Sequence, residues 1–100
     1  MIVAKRDGTF VPWDRTRIAN AVLKALAASR EPSPVNPEIM ARLVARLVEN
    51  KLSKRGEDRV GIEEIQDVVE IVLMTDADLP RTAKAYVLYR DQRAKARKNL

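Results

Sequence analysis

Lys5, Arg6, Arg15 and Arg17 place four cations within the first 17 residues, with Asp7, Gly8 and Asp14 among them. Lys5 and Arg6 precede Asp7-Gly8, a strong two-residue turn signal because both residue types tolerate positive φ. Arg15 and Arg17 fall in the first turn of a helix that Asp14 is placed to cap. A helix N-terminus already carries positive partial charge, and each cation added there costs about 0.3–1 kcal/mol. A bound anion resolves that conflict, because the free N–H groups at a helix start hold phosphate well. The competing expectation is that each side chain splays into water. On a strand, Lys5 and Arg6 point to opposite faces, so for both to touch phosphate the hairpin must curl over the ligand or present its edge. Val3 shares a face with Lys5, an arrangement that suits a base or ribose on Val3 and phosphates at Lys5. Asp14 has two open roles, as a cap alone or as an acceptor from an exocyclic amine or ribose hydroxyl.

The elements that must hold these groups follow from pattern. Residues 2–13 read as a β-hairpin, with strands 2–6 and 9–13 and Pro12 at a sheet edge or strand exit. The hairpin is marginal alone, so it is expected to pack over the rest as a lid, anchored by Phe10 and Trp13. Ile18, Ala21, Val22, Ala25 and Leu26 recur at helical spacing, and a loop rich in proline follows from residue 30 to 36. Asn36-Pro37 opens a second helix with Met40, Leu43, Val44, Leu47 and Val48 inward, ending near Leu52. After a polar loop at 53–58, Arg59-Val60-Gly61 suits a brief third strand. A third helix runs over about residues 62–74, with Ile65, Val68, Val69 and Val72 inward. Asp78 is the expected cap of a fourth helix that begins at Pro80 and carries Ala83, Tyr86 and Val87 on one face. Beyond Arg90 the chain turns strongly charged, so residues 1–93 form the expected domain and 94–100 a charged tail or linker. The sum is an α+β fold, a four-helix bundle capped by a small N-terminal β-hairpin.

Composition narrows the function. The chain has 100 residues, enough for one domain with a modest core. It contains no cysteine and no histidine, which removes disulfides, thiolate nucleophiles, cysteine-ligated zinc and the commonest general base. The formal charge of +5 calls for an anionic partner. With three glycines and no Gly-x-x-x-x-Gly-Lys loop, an ATP-hydrolysing enzyme is disfavoured. No apolar run approaches the roughly 18 residues of a membrane span. Lys5, Arg6 and Asp7 interrupt any N-terminal signal, so the cytoplasm is the expected location. The charge and the basic end of the fourth helix also admit a basic helical DNA-binding domain, although no helix-turn-helix pattern is evident.

Three blocks, in order, carry a resemblance. They are Val3-x-Lys5-Arg6-Asp7-Gly8 with Val11-Pro12-Trp13-Asp14 and Arg17-Ile18, then Val60 to Glu70, then Thr82 to Arg93. Together they resemble the ATP-cone domain, a regulatory module at the N-terminus of ribonucleotide reductases that also occurs behind a zinc ribbon in repressors of reductase genes. The resemblance implies that ATP and dATP, each with Mg²⁺, compete for one region, dATP switching activity off and ATP on. It implies as partners an adenine nucleotide, the catalytic domain of a larger reductase chain and a nucleotide-dependent oligomer. It also implies a small three-stranded sheet over the four helices. Carried over by position, Val3 lies near the base, Lys5 and Arg6 are phosphate ligands, and Asp14 contacts the adenine. Arg17 stands where the family usually has lysine, on phosphate or ribose. Ile62 and Gln66 match positions lining ribose and phosphates, although Ile62 cannot hydrogen-bond through its side chain. Arg90 or Arg93 closes the phosphate end. Trp13, Tyr86 and Tyr89 are assigned to packing, and Glu63, Glu64 and Asp67 to dipole compensation rather than to Mg²⁺ held through water.

Overall fold

The computed structural model describes residues 1–98. β1 (Ile2–Ala4) and β2 (Phe10–Pro12) form the hairpin, with Val3 opposite Val11. The turn between them differs from the two-residue form expected at Asp7-Gly8. The Lys5 N–H donates to the Thr9 carbonyl at 2.8 Å and the Gly8 N–H to the Lys5 carbonyl at 3.1 Å, so Arg6, Asp7 and Gly8 make a three-residue loop. Only Gly8 takes positive φ there, at 86°. The Asp7 carboxylate accepts from the Thr9 N–H at 3.0 Å and from its hydroxyl at 2.6 Å, which favours the longer loop. Arg6 is thereby released from strand alternation and no longer has to face away from Lys5.

β3 (Arg59–Gly61) pairs in parallel with β1, giving the order β2-β1-β3. Alternation along the strands buries Val3 and Val60 and half-buries Val11. The same alternation overturns the expected anchoring by Phe10. It sits one position from Val11 on the outward face, 54% exposed, with the Arg59 guanidinium 4.8 Å from its ring centre. Trp13 does pack against the core, half-buried.

The helices are α1 (Arg15–Ser29), α2 (Pro37–Ser53), α3 (Ile62–Met74) and α4 (Pro80–Lys98). Asp14 caps α1 by accepting from the Thr16 N–H at 3.0 Å, and Asn36 caps α2 by accepting from the Glu38 N–H at 2.8 Å. α1 packs against α2 and α4, and α3 against the same pair, closing a four-helix bundle. Val22, Val44, Val48, Leu52, Val69, Val72 and Leu73 are fully buried at its centre. Each such side chain contributes about 1.5–3 kcal/mol by leaving water. Leu43 was expected inward but is 46% exposed, because Ala41 and Ala45 complete the inward face of α2.

Asp78 does not cap α4. It takes a left-handed conformation, φ 53°, in the preceding turn. The cap comes from the loop after α1. The Glu31 carboxylate accepts from the Arg81 N–H at 3.1 Å, the Thr82 N–H at 2.8 Å and the Thr82 hydroxyl at 2.9 Å. Burial opposes ionisation of Glu31, but these donors and the Arg81 charge together hold its carboxyl below the usual range. α4 continues through Lys98, and the last two positions of the charged tail expected at 94–100 lie outside the described residues.

Candidate functional site: a cationic cleft between the hairpin and three helices

Helical spacing decides what converges under the hairpin loop. α4 presents Tyr86, Tyr89, Arg90 and Arg93 at i, i+3, i+4 and i+7. α3 contributes Ile62, Ile65 and Gln66 from its first turn and a half, and α1 contributes Arg17, Ile18 and Ala21. The hairpin loop adds Lys5, Arg6 and Asp7, and the open cleft among them measures about 510 Å³. That size lies within the roughly 300–1,000 Å³ of small-molecule sites. The first turns of α1 and α3 border it, so their N-terminal partial charges add to those of the side chains.

Five cations and one carboxylate line this cleft, beside an apolar wall of isoleucines, Ala21 and Tyr86. The Arg6 guanidinium donates to Gln66 Oε1 at 3.2 Å and lies 3.9 Å from Glu63. Arg90 lies 3.7 Å from Asp67, 3.9 Å from Glu70 and 3.7 Å from Asp91. Arg93 lies 5.9 Å from the centre of the Tyr89 ring, with Lys24 at 5.8 Å from it. The Arg93 guanidinium also donates to the Tyr89 hydroxyl at 3.5 Å, which lowers the Tyr89 pKa. Burial pushes the Tyr86 hydroxyl up to about 12. The two hydrogen bonds from Thr9 hold Asp7 below the ordinary carboxylate range, so it stays ionised and keeps the loop closed.

Seven of the nine residues expected at a nucleotide site line this one cleft: Lys5, Arg6, Arg17, Ile62, Gln66, Arg90 and Arg93. Val3 and Asp14 do not line it. Val3 is buried in the core, 6% exposed, because its inward parity on β1 points it at the bundle. Asp14 and Arg15 line a second, broader hollow of about 870 Å³ between α1 and α2. Arg15 and Arg17 are two positions apart, about 200° around a helix, so they part company. Arg15 pairs with Glu49 of α2, whereas Arg17 turns to the cleft with Asp14 3.9 Å away. The broader hollow carries equal numbers of cations and carboxylates and so has no demand for an anion. The lining of the smaller cleft has a surplus of cations, and the carboxylates that approach Arg6 and Arg90 do so from outside it. Tyr89, assigned above to packing, stands on the cleft wall, and so do Ile18, Ala21 and Ile65. The Tyr86–Arg93 spacing was a sequence signal for a shared face, but only the packing of α4 against α1 and α3 turns that face toward a cleft.

Among the described residues, no three histidine, cysteine, aspartate or glutamate side chains converge as metal ligands, and no helix is long and apolar enough to cross a membrane.

Comparison with known proteins agrees with this architecture. The chain is 41% identical over 96 residues to a vitamin B12-dependent ribonucleoside-diphosphate reductase of Thermoplasma acidophilum, covering 91% of this chain and 12% of that protein. It is 38% identical over 101 residues to ribonucleoside-diphosphate reductase subunit alpha of Chlamydia pneumoniae, covering 97% and 10%. It is 34% identical over 95 residues to the anaerobic ribonucleoside-triphosphate reductase of Haemophilus influenzae, covering 95% and 13%. The chain thus spans about one-tenth of the length of these relatives. Residues 1–95 match the ATP cone domain, nearly the whole of the described fold, and the chain belongs to that family.

Proposed function

We propose that the cleft binds the polyphosphate of ATP or dATP as competing allosteric effectors, and that occupancy switches the activity of a reductase catalytic domain carried on a larger chain, dATP lowering it and ATP supporting it. The observation that carries this reading is the surplus of cations lining the cleft, five against one carboxylate, with the carboxylates that approach Arg6, Arg17 and Arg90 lying outside the lining, beside an apolar wall suited to a ribose or base. A polyanion neutralises those cations and gains charge-assisted hydrogen bonds to each. Mg²⁺ would travel with the nucleotide and be held mainly by its phosphates. A regulatory rather than catalytic role is supported by the relatives. The segment is shared by reductases named as B12-dependent, as subunit alpha and as anaerobic, which differ in cofactor or oxygen requirement. Such a module works in the cytoplasm, where its nucleotide is, and nucleotide-dependent oligomerisation is the natural output.

Calorimetric titration with Mg²⁺–ATP and Mg²⁺–dATP tests the proposal, with light scattering to follow mass. Lys5→Ala and Arg17→Ala each remove a charge-assisted contact and should weaken binding about tenfold to a hundredfold. Unchanged affinity in both variants would sink the site assignment. Salt-dependent binding of duplex DNA by nucleotide-free protein would favour a nucleic-acid module instead.

A further inference from the structure

Two cations of the cleft, Arg6 and Arg90, are already engaged by carboxylates from outside it. Glu63, Asp67 and Glu70 lie at i, i+4 and i+7 along one edge of α3, beside the cleft. Glu63 reaches toward Arg6 at 3.9 Å, while Asp67 and Glu70 approach Arg90 at 3.7 and 3.9 Å. The Arg90 side chain is 24% exposed, against 36% for Arg6 and 78% for Arg17, so its ion pairs are the better shielded. The separations are longer than the roughly 2.7–2.9 Å of a tight charge-assisted hydrogen bond, so these contacts can be exchanged. Asp67 and Glu70 approach a terminal nitrogen of the Arg90 guanidinium and Asp91 approaches its Nε, and a planar fork cannot give the same donors in good geometry to these carboxylates and to a phosphate.

We infer that Asp67 and Glu70 are an internal competitor for Arg90, lowering the affinity of the cleft for polyphosphate, and that phosphate engagement releases them as an uncompensated acidic edge on the outer surface of α3. This rests on the nucleotide reading above and adds the regulation of that site. The competition sets the ligand concentration at which the cleft fills. The release converts an event inside the cleft into a change of surface charge that a neighbouring domain can sense. Asp67 and Glu70 are 70% and 41% exposed, so the freed carboxylates face outward.

The test is a double-mutant cycle on Mg²⁺–ATP binding by calorimetry, using wild type, Asp67→Asn/Glu70→Gln, Arg90→Ala and the combined variant. Melting followed by circular dichroism establishes that each variant is folded, and the isosteric amides keep the shape of α3. Exposed ion pairs are weak, so the amide variant should bind about threefold to tenfold more tightly than wild type. In the Arg90→Ala background the same amides should bring no gain. Equal or weaker binding by the amide variant overturns the competitor, and weakening seen only with Mg²⁺ assigns the carboxylates to the metal instead. A gain that persists without Arg90 reduces the effect to general repulsion and also overturns it. A wild-type chain that binds no adenine nucleotide defeats the site reading and this inference together, whereas tight wild-type binding with no gain defeats the inference alone.

Discussion

Removing the Glu31 carboxylate should cost this small fold a large share of its stability. Glu31 is 9% exposed and accepts three hydrogen bonds from the start of α4, two of them from backbone N–H groups. In Glu31→Ala, water can replace the acceptor at exposed Arg81 but not at Thr82, which is fully buried. The Thr82 hydroxyl keeps Ser29 Oγ as a partner at 2.9 Å. Loss of a helix cap costs about 1 kcal/mol, and a buried unpaired donor a further 1–3, so a total of about 2–4 kcal/mol is expected. For a domain of this size that lowers Tm by roughly 10–25 °C. Urea unfolding followed by circular dichroism at pH 7 measures the difference. The acid arm has a fixed sign. Glu31 ionises more readily folded than unfolded, so its contribution is complete above the ordinary carboxylate range and is lost as pH falls through its depressed folded value. The gap between wild type and Glu31→Gln should therefore close in acid. A cost below about 0.5 kcal/mol, or a gap that stays flat from neutral to strongly acidic pH, would refute the assignment of Glu31 as the cap of α4.

Other outcomes follow from the same geometry. Gly8→Val places a β-branched residue at φ 86° with no atom within 4 Å of the added Cβ, so the effect is backbone strain rather than collision. It should cost about 1–2 kcal/mol in urea unfolding and weaken Mg²⁺–ATP binding by misplacing Lys5 and Arg6. Arg15→Ala should leave nucleotide affinity unchanged in calorimetry, since its guanidinium pairs with Glu49 on the α2 side. Arg17→Ala should not. The Tyr86 hydroxyl has a folded pKa of about 12, raised from 10.0 by burial, so its contribution to stability is complete below pH 10 and lost as pH rises toward 12. Alkaline unfolding followed by circular dichroism should shift to higher pH in Tyr86→Phe.

Local chemistry was legible in the sequence, and distant partnership was not. Asp14 and Asn36-Pro37 mark helix starts because a cap acts within three residues, and both act as expected. Asp7-Gly8 suits a two-residue turn and a three-residue loop alike, and what separates them is a side-chain bond to Thr9. Phe10 and Val11 are both apolar, so which of them faces the bundle depends on register with β1, known only once Val3 pairs with Val11. The cap of α4 lies 50 residues upstream of the group it serves, beyond any local pattern. In the cleft, the cations near the start were evident from their clustering, and family likeness pointed to Ile62, Gln66 and the arginines of α4. The apolar wall was not, because Ile18, Ala21 and Ile65 follow the same helical period as any core residue.

The central place of β1 ties the cleft to the folding of the whole chain. Arg6 meets Gln66 across a separation of 60 residues, and the first strand is seated only when its parallel neighbour, β3, has been made. Contacts this distant in sequence carry a large loop-closure cost that the packing of the rest of the fold must offset. If the cleft takes the proposed nucleotide, affinity for it should report how fully the domain has closed, and saturating nucleotide should hold the closed form. Substitutions that loosen the pairing of Val3 with Val60 should lower that affinity without touching a single cleft side chain.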